Sequence, residues 1–206
     1  IDRLADDSRI VRQEAHRALA QLSGEDCGPP ADANAESRAT AIAAWEPVHV
    51  NVPNANYERI VRARLDAAGV PRRRVSVHHI PTNEAWARDH GPAFVLRSRR
   101  GKTEAAIVDW GFNAWGGKYP PWDLDNSIPS RIAATLGKRS FKGGMILEGG
   151  AIEINGAGHL LTTGAVLLNP NRNPQLHRDD IEQLLRDGLG VSEILWLKQG
   201  IEGADT

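Results

Sequence analysis

The pattern of apolar residues from position 46 onward constrains the fold most strongly. Short segments with the two-residue period of a strand alternate there with segments that have the period of a helix. Asn155-Gly156 is typical of a tight hairpin, and the charged residues 97–103 form a second turn between two strand-like segments. This combination excludes an all-helical solenoid and predicts an α/β domain with mixed strand directions. The predicted strands are Val48–Val52, Val75–Ile80, Ala93–Leu96, Ala105–Asp109, Met145–Leu147, Ile152–Ile154, His159–Thr162 and Ile194–Leu197.

Three helices are predicted between these strands. The first begins near Asn54 and ends at Gly69, and a short one begins near Pro129 and ends at Gly137. The last covers about Arg178–Asp187, with two aspartates in its first turn, where they favour the helix dipole. The predicted inward-facing residues of the first helix are Tyr57, Ile60, Val61, Leu65 and Ala68.

Residues 1–45 form a different kind of segment. Apolar residues recur there at helical spacing, and the string resembles a HEAT-type helical repeat followed by a tail, although an ordinary amphipathic helix has the same pattern. We therefore predict a helical HEAT-like segment at 1–45 and an α/β domain at 46–206. Because the sequence begins with Ile1 rather than methionine, we expect it to be a fragment of a longer chain.

Charge and cysteine content exclude several classes of function. The formal net charge is −1, so the composition does not indicate binding to nucleic acid or to an anionic membrane. No apolar run reaches the length of a membrane span. Cys27 is the only cysteine, which excludes an intrachain disulfide and a cysteine-rich zinc site. The histidines have no spacing typical of a metal motif.

The polar segment Asn83–Pro92 is the first candidate for a functional site. It combines Trp86, Arg88 and Asp89, and it leads directly into an apolar strand. Adjacent charges are costly to bury unless they are paired, and Gly91-Pro92 makes a stiff corner that fixes their direction. A surface loop with an incidental ion pair explains the segment equally well.

Glu148 provides a second carboxylate in a similar setting. Both Asp89 and Glu148 lie next to a strand and close to glycine, which allows backbone or ligand to approach closely. Such a pair could bind a cation, hold a metal or act as an acid and a base. The spacing alone leaves these alternatives open. A long irregular segment, Trp110–Asp125, carries three tryptophans, and loops of this length are usually functional or mobile.

Four ordered motifs resemble the family of agmatine deiminases and bacterial-type peptidylarginine deiminases. They are Trp86–Pro92, Trp110–Tyr119, Leu147–Glu153 and Leu168–Pro174, and the resemblance covers about residues 46–206. The resemblance implies a partial pentein fold, built as an α/β propeller of ββαβ-like modules. It also implies a hydrolase that needs no metal or organic cofactor. Its substrate would be a small guanidine, agmatine, and it would be cytoplasmic and serve polyamine and putrescine synthesis.

The resemblance also assigns roles to residues. Asp89 and Glu148 would be catalytic and would hold the guanidinium group, whose planar fork of donors suits carboxylates. Trp86 and Trp115 would wall the substrate pocket. Arg88 is grouped with these substrate-binding residues, although it more plausibly orients the loop than touches a cation. The wall and the carboxylates together form the predicted site.

Two catalytic groups of the resembled family have no assigned position in this sequence. A cysteine thiolate attacks the guanidinium carbon, and a histidine protonates the departing ammonia and then activates water. The family's histidine follows a string like Ala204-Asp205-Thr206, where this sequence ends, and Cys27 matches no family position. We therefore expect this chain alone to be inactive. The alternatives are a peptidylarginine deiminase or a non-catalytic HEAT-type scaffold, and exposed sheet edges would favour homo-oligomers.

Overall fold

A computed structural model describes residues 48–198 and residue 200. The chain forms two compact units, divided between His79 and Ile80. The strands are β1 (Val48–Val52), β2 (Val75–His79), β3 (Ala93–Arg99), β4 (Lys102–Gly111), β5 (Arg139–Ile146), β6 (Ile152–Ile154), β7 (His159–Thr163) and β8 (Glu193–Leu197). The helices are α1 (Ala55–Ala67), α2 (Ala87–His90), α3 (Asp123–Asn126), α4 (Ile128–Thr135), α5 (Gly164–Leu167) and α6 (Arg178–Leu189). Single 3-10 turns occupy Arg72–Arg74 and Gly149–Ala151.

The first unit contains a strand–helix–strand arrangement. Strands β1 and β2 are parallel, with Val48 opposite Val75, and α1 connects them. The side chain of Asn54 caps α1 by accepting the backbone N–H groups of Asn56 and Tyr57, which confirms the predicted helix start.

The predicted inward face of α1 is only partly confirmed: Val61 and Leu65 are half-buried, whereas Tyr57, Ile60 and Ala68 are exposed. Tyr57 and Ile60 are 53% and 46% exposed, and no residue of the helix is buried. These side chains stay exposed because the two-stranded sheet beneath α1 is small. Two strands of five residues each offer too little surface to cover the apolar side of a 13-residue helix.

The second unit contains two modules with the same topology. In the first, β3 pairs antiparallel with β4, and β5 then returns parallel to β4 after α4. In the second, β6 pairs antiparallel with β7, and β8 returns parallel to β7 after α6. Both predicted hairpins and the mixed strand directions are therefore confirmed. Helix α6 is confirmed and extends two residues beyond the predicted end.

The apolar core of the second unit joins the two modules. Val108 and Met145 from the first module pack in one cluster with Leu160, Ile181 and Leu185 from the second. Ile181 and Leu185 lie one helical turn apart on α6, and both are fully buried. This shared core fixes the position of the loops that follow the strands. Among the described residues, none of the helices is both long and apolar enough to cross a membrane.

One edge of the first module gathers the polar motifs. Ala93 at the start of β3 pairs with Val108 near the end of β4, and Gly111 at the end of β4 pairs with Ile146 at the end of β5. The start of β3 and the ends of β4 and β5 therefore lie at the same edge of the sheet. The segments before β3, after β4 and after β5 meet there.

Candidate functional site

A cavity of about 370 Å³ opens beside two of these segments. Of the residues that the structure describes, only acidic and aromatic ones line it: Glu84, Trp86, Asp89, Trp115 and Tyr119. Carboxylates attract a cation by charge, and aromatic faces attract it through their quadrupole. The lining therefore suits a small, positively charged ligand.

The family resemblance implied a common site for Trp86, Asp89 and Trp115, and all three line this cavity. Glu84 and Tyr119 also line it, but sequence reasoning did not single them out. Each lies inside a quoted motif, at Asn83–Pro92 and Trp110–Tyr119. The sequence contained one clue to them, because Glu84 lies two residues before Trp86 and Tyr119 lies four residues after Trp115.

The loop that carries Glu84 is held by a reciprocal set of hydrogen bonds. The buried carboxylate of Asp125 accepts the backbone N–H of Asn83 at 2.8 Å and that of Glu84 at 3.1 Å. In return, Oδ1 of Asn83 accepts the backbone N–H groups of Leu124 and Asp125 at 3.0 and 3.3 Å. The backbone of Glu84 is thereby fixed, while its side chain remains exposed at the cavity.

Asp89 lies on α2 and is anchored through one oxygen. Its Oδ1 atom accepts the backbone N–H of Gly150 at 2.9 Å. A side chain at Gly150 would overlap this oxygen, and one at Gly149 would overlap the carbonyl oxygen of Arg88. The two glycines therefore allow the loop after Glu148 to lie directly against α2.

Arg88 does not line the cavity. Its Nε atom donates to the carbonyl oxygen of Gly149 at 3.1 Å, and Nη2 donates to that of Ile152 at 3.2 Å. Nη2 also lies 3.4 Å from the carboxylate of Glu153. These contacts hold α2 against the loop that carries Glu148.

Glu148 is brought close to Asp89 through its backbone, but its carboxylate is turned inward. The side chain is buried and does not line the cavity. Its Oε1 atom accepts a hydrogen bond from Nε of Arg172 at 2.9 Å. Oε2 is also buried and has no hydrogen-bond partner among residues 48–198. Asp89 and Glu148 are thus alike, because the protein anchors one oxygen of each.

Trp115, one of the aromatic residues that line the cavity, lies on a left-handed turn at Ala114–Gly117. Ala114 and Trp115 have φ angles of 51° and 57°, a conformation that costs non-glycine residues about 1–3 kcal/mol each. Oδ1 of Asn113 accepts the backbone N–H of Gly116 at 2.9 Å, which closes the turn. The ring of Trp115 meets those of Phe112 and Tyr119 edge to face, at centroid distances of 5.3 and 5.7 Å.

Within the part of the chain that the structure describes, no group of three or more His, Cys, Asp or Glu residues could hold a metal ion. His90 is buried and lies 3.9 Å from Asp125, outside the cavity lining. Cys27 and residues 204–206 lie outside the described residues.

Comparison with known proteins identifies relatives for nearly the whole chain. The family model of the Porphyromonas-type peptidyl-arginine deiminases matches residues 17–206. The match begins inside the segment 1–45 that we predicted to be HEAT-like. It gives that prediction no support, and the segment lies outside the described residues.

An agmatine deiminase from Ectopseudomonas mendocina is 43% identical over 184 residues, which are 87% of this chain and 48% of the relative. The structure of an agmatine deiminase from Enterococcus faecalis has a TM-score of 0.65 and 31% identity, covering 97% of this chain and 48% of that one. A cysteine-to-serine variant of C. jejuni agmatine deiminase with substrate bound has a TM-score of 0.62 and 30% identity, covering 75% and 43%. The chain spans about half the length of the curated relatives it matches.

Proposed function

Since this chain belongs to the Porphyromonas-type peptidyl-arginine deiminase family, we propose that it forms part of a guanidine hydrolase and that its substrate is agmatine. The cavity lined by two carboxylates and three aromatic rings carries this proposal. Agmatine deiminases are also prominent among the relatives.

Asp89 and Glu148 hold the guanidinium group in this proposal. Asp89 lines the cavity and is anchored through one oxygen by Gly150, so its other oxygen can meet the ligand. Glu148 is anchored by Arg172 and is buried outside the lining, so in this proposal its carboxylate turns toward the cavity when the guanidinium binds. A guanidinium has donors on all sides of its plane and can bind two such oxygens at once. Trp86 and Trp115 cover its faces, where a cation is attracted to aromatic rings.

The charge of the cavity favours agmatine over peptidyl-arginine. Agmatine carries a guanidinium at one end and a primary ammonium at the other, so it has two positive charges. Glu84 and Asp89 give the lining two negative charges, whereas the charge of Glu148 is balanced by Arg172. A peptidyl-arginine side chain has only one cation and would leave Glu84 without a partner. Peptidyl-arginine remains the alternative substrate, supported by the name of the family.

The proposed reaction converts agmatine and water into N-carbamoylputrescine and ammonia. A cysteine thiolate forms a bond to the guanidinium carbon, the carbon–nitrogen bond breaks, and ammonia leaves with a proton from a histidine. Water then replaces the sulfur and regenerates the thiol. No described residue is assigned as the nucleophile or the general base. We therefore propose that the 206-residue chain binds agmatine without converting it.

Calorimetric titration of the chain tests this function. Agmatine is expected to bind more tightly than N-acetyl-arginine amide, a mimic of peptidyl-arginine, and D89N is expected to weaken agmatine binding by at least about tenfold. D179N serves as a matched control, because Asp179 is exposed in the first turn of α6 and does not line the cavity. Preference for the peptide mimic would overturn the substrate assignment. Ammonia release from agmatine by the isolated chain would overturn the assignment of an inactive chain.

A further inference from the structure

We propose that His90 is a positioning residue of the cavity, whose imidazolium balances the buried carboxylate of Asp125 and so holds Glu84 where it meets the ammonium end of the substrate. This inference rests on the proposed function, because it assumes that agmatine occupies the cavity. His90 does not line the cavity and has no part in the proposed reaction. Its role is to act through Asp125 on Glu84.

Asp125 has a carboxylate that the protein encloses almost completely. Its side chain is 1% exposed, and it accepts the backbone N–H groups of Asn83 at 2.8 Å and Glu84 at 3.1 Å. These donors are neutral, and a buried negative charge is costly unless a positive charge also lies close to it. Among the described residues, the ion pair of Asp125 is with His90, whose Nε2 atom lies 3.9 Å from Oδ1.

His90 is itself buried, with 2% of its side chain exposed. Neither ring nitrogen has a hydrogen-bond partner in the described part of the chain. A polar atom that is buried without a hydrogen bond costs about 1–3 kcal/mol, so a phenylalanine ring would suit a purely structural position better. A charge accounts for the histidine, because an imidazolium at this position attracts the carboxylate of Asp125.

The distances favour support of the loop over competition with it. The carboxylate of Asp125 is hydrogen-bonded to the N–H groups of Asn83 and Glu84, whereas its distance of 3.9 Å from Nε2 of the histidine is too long for a hydrogen bond. His90 thus attracts the carboxylate without taking its oxygen atoms from the loop. Loss of the positive charge would leave the carboxylate buried and unbalanced, which weakens its hold on the backbone of Glu84.

The other groups around His90 leave Asp125 as the one that responds to its charge. Three further charged residues lie on the helices that carry these two residues: Arg88, Asp89 and Asp123. The first two are hydrogen-bonded to the loop between β5 and β6, and the third is exposed. The 3-10 turn of that loop, which packs against α2, carries no titratable side chain. The ring of Phe112 meets His90 edge to face at a centroid distance of 5.7 Å and is uncharged.

Substitution by phenylalanine separates a positioning residue from one that only fills the core. H90F keeps an aromatic ring and removes both nitrogens, so a residue that only filled the core would tolerate it. We expect H90F to weaken agmatine binding about 3- to 10-fold and to leave the binding of propylguanidine unchanged, because propylguanidine lacks the ammonium group that meets Glu84. Calorimetry on the 206-residue chain measures both affinities. H159F is the matched control, because His159 is exposed on β7 and does not line the cavity.

A double-mutant cycle with E84Q tests whether the effect passes through Glu84. E84Q removes the carboxylate that the loop presents, so the double variant with H90F should bind agmatine no more weakly than E84Q alone. Additive losses would show that His90 acts by another route and would overturn the inference. Normal agmatine affinity in H90F, or an equal loss for agmatine and propylguanidine, would overturn it as well.

The pH dependence of the wild-type chain keeps the test informative if H90F does not fold. Histidine side chains lose their positive charge between about pH 5 and about pH 8. We therefore expect the ratio of agmatine affinity to propylguanidine affinity to fall about 3- to 10-fold as the pH rises through this range, and to fall equally in H159F. A ratio that is constant with pH would overturn the inference. No binding of agmatine by the wild-type chain would instead overturn the proposed function, and the inference with it.

Discussion

Nε of Arg88 donates a hydrogen bond to the carbonyl oxygen of Gly149 at 3.1 Å, across 61 positions of the sequence. This contact ties α2 to the loop between β5 and β6. Together with the bond from the Gly150 N–H to Asp89, it brings the two acidic motifs of the sequence to one place. The consequences of this arrangement can be tested one residue at a time.

G150A is expected to displace the carboxylate of Asp89, because a Cβ atom at this position overlaps Oδ1. We expect a loss of about 1–3 kcal/mol in the free energy of unfolding and at least about tenfold weaker agmatine binding. Urea unfolding and calorimetry measure the two effects. In G164A the new methyl group meets only ordinary van der Waals contacts, so this control should bind agmatine normally. Unchanged affinity in G150A would show that the anchoring of Asp89 is not needed.

E84Q is expected to reduce discrimination between two ligands. Agmatine binding should weaken about 3- to 10-fold, because an exposed ion pair contributes on the order of 1 kcal/mol. Binding of propylguanidine, which lacks the ammonium group, should be unaffected. Competition titrations measure the ratio of the affinities for agmatine and propylguanidine. E104Q is the control, because it removes an exposed carboxylate that pairs with Arg97 and does not line the cavity. An equal loss for both ligands would place Glu84 at the guanidinium instead.

D125N is expected to destabilise the protein by about 1–3 kcal/mol, because an amide presents N–H donors to backbone groups that are themselves donors. The variant should also lower agmatine affinity, since the loop that carries Glu84 is held by this carboxylate. Urea unfolding monitored by tryptophan fluorescence measures stability. D123N, two positions earlier on an exposed part of α3, should change neither quantity.

The stability of α6 is expected to depend on pH through Glu182. Burial raises the pKa of this carboxyl, but hydrogen bonds from Arg178, Arg186 and Trp196 outweigh burial and leave the pKa below its ordinary value of 4.5. Its ionised form therefore stabilises the fold above that value, and the contribution is lost as the pH falls through the lower pKa of the folded state.

E182Q should therefore be less stable than the wild type at neutral pH, by up to about 1 kcal/mol, because solvent screens the pairs. The difference should shrink between about pH 7 and about pH 3 as the wild-type carboxyl is protonated. Urea unfolding at both pH values measures it. If the difference in the free energy of unfolding between E182Q and the wild type stayed constant with pH, Glu182 would not be the source of the pH dependence.

The sequence predicted the elements of the fold well wherever local chemistry determines them. Asn155-Gly156 marked a real hairpin, and the helix predicted at about Arg178–Asp187 is present as α6. The inner face of α1 was predicted correctly only for Val61 and Leu65, which are half-buried, because periodicity shows which side of a helix is apolar but not whether anything covers it. Tyr57 and Ile60 have the correct spacing and remain exposed.

The candidate site was predictable in part. The motifs around Asp89 and Trp115 identified two sides of the cavity. The partner of Glu148 was not predictable, because Arg172 lies 24 positions away and no local pattern connects them. Glu84 was missed for a similar reason, since its position depends on the buried carboxylate of Asp125, 41 positions away.

The pairing of Glu148 with Arg172 has a consequence for the order of folding. Glu148 follows the last strand of the first module, whereas Arg172 lies between β7 and α6 of the second. The first module can form its hairpin from nearby residues, but it cannot complete the acidic site until the second has docked. Ligand binding should therefore be acquired late in refolding, after most secondary structure has formed.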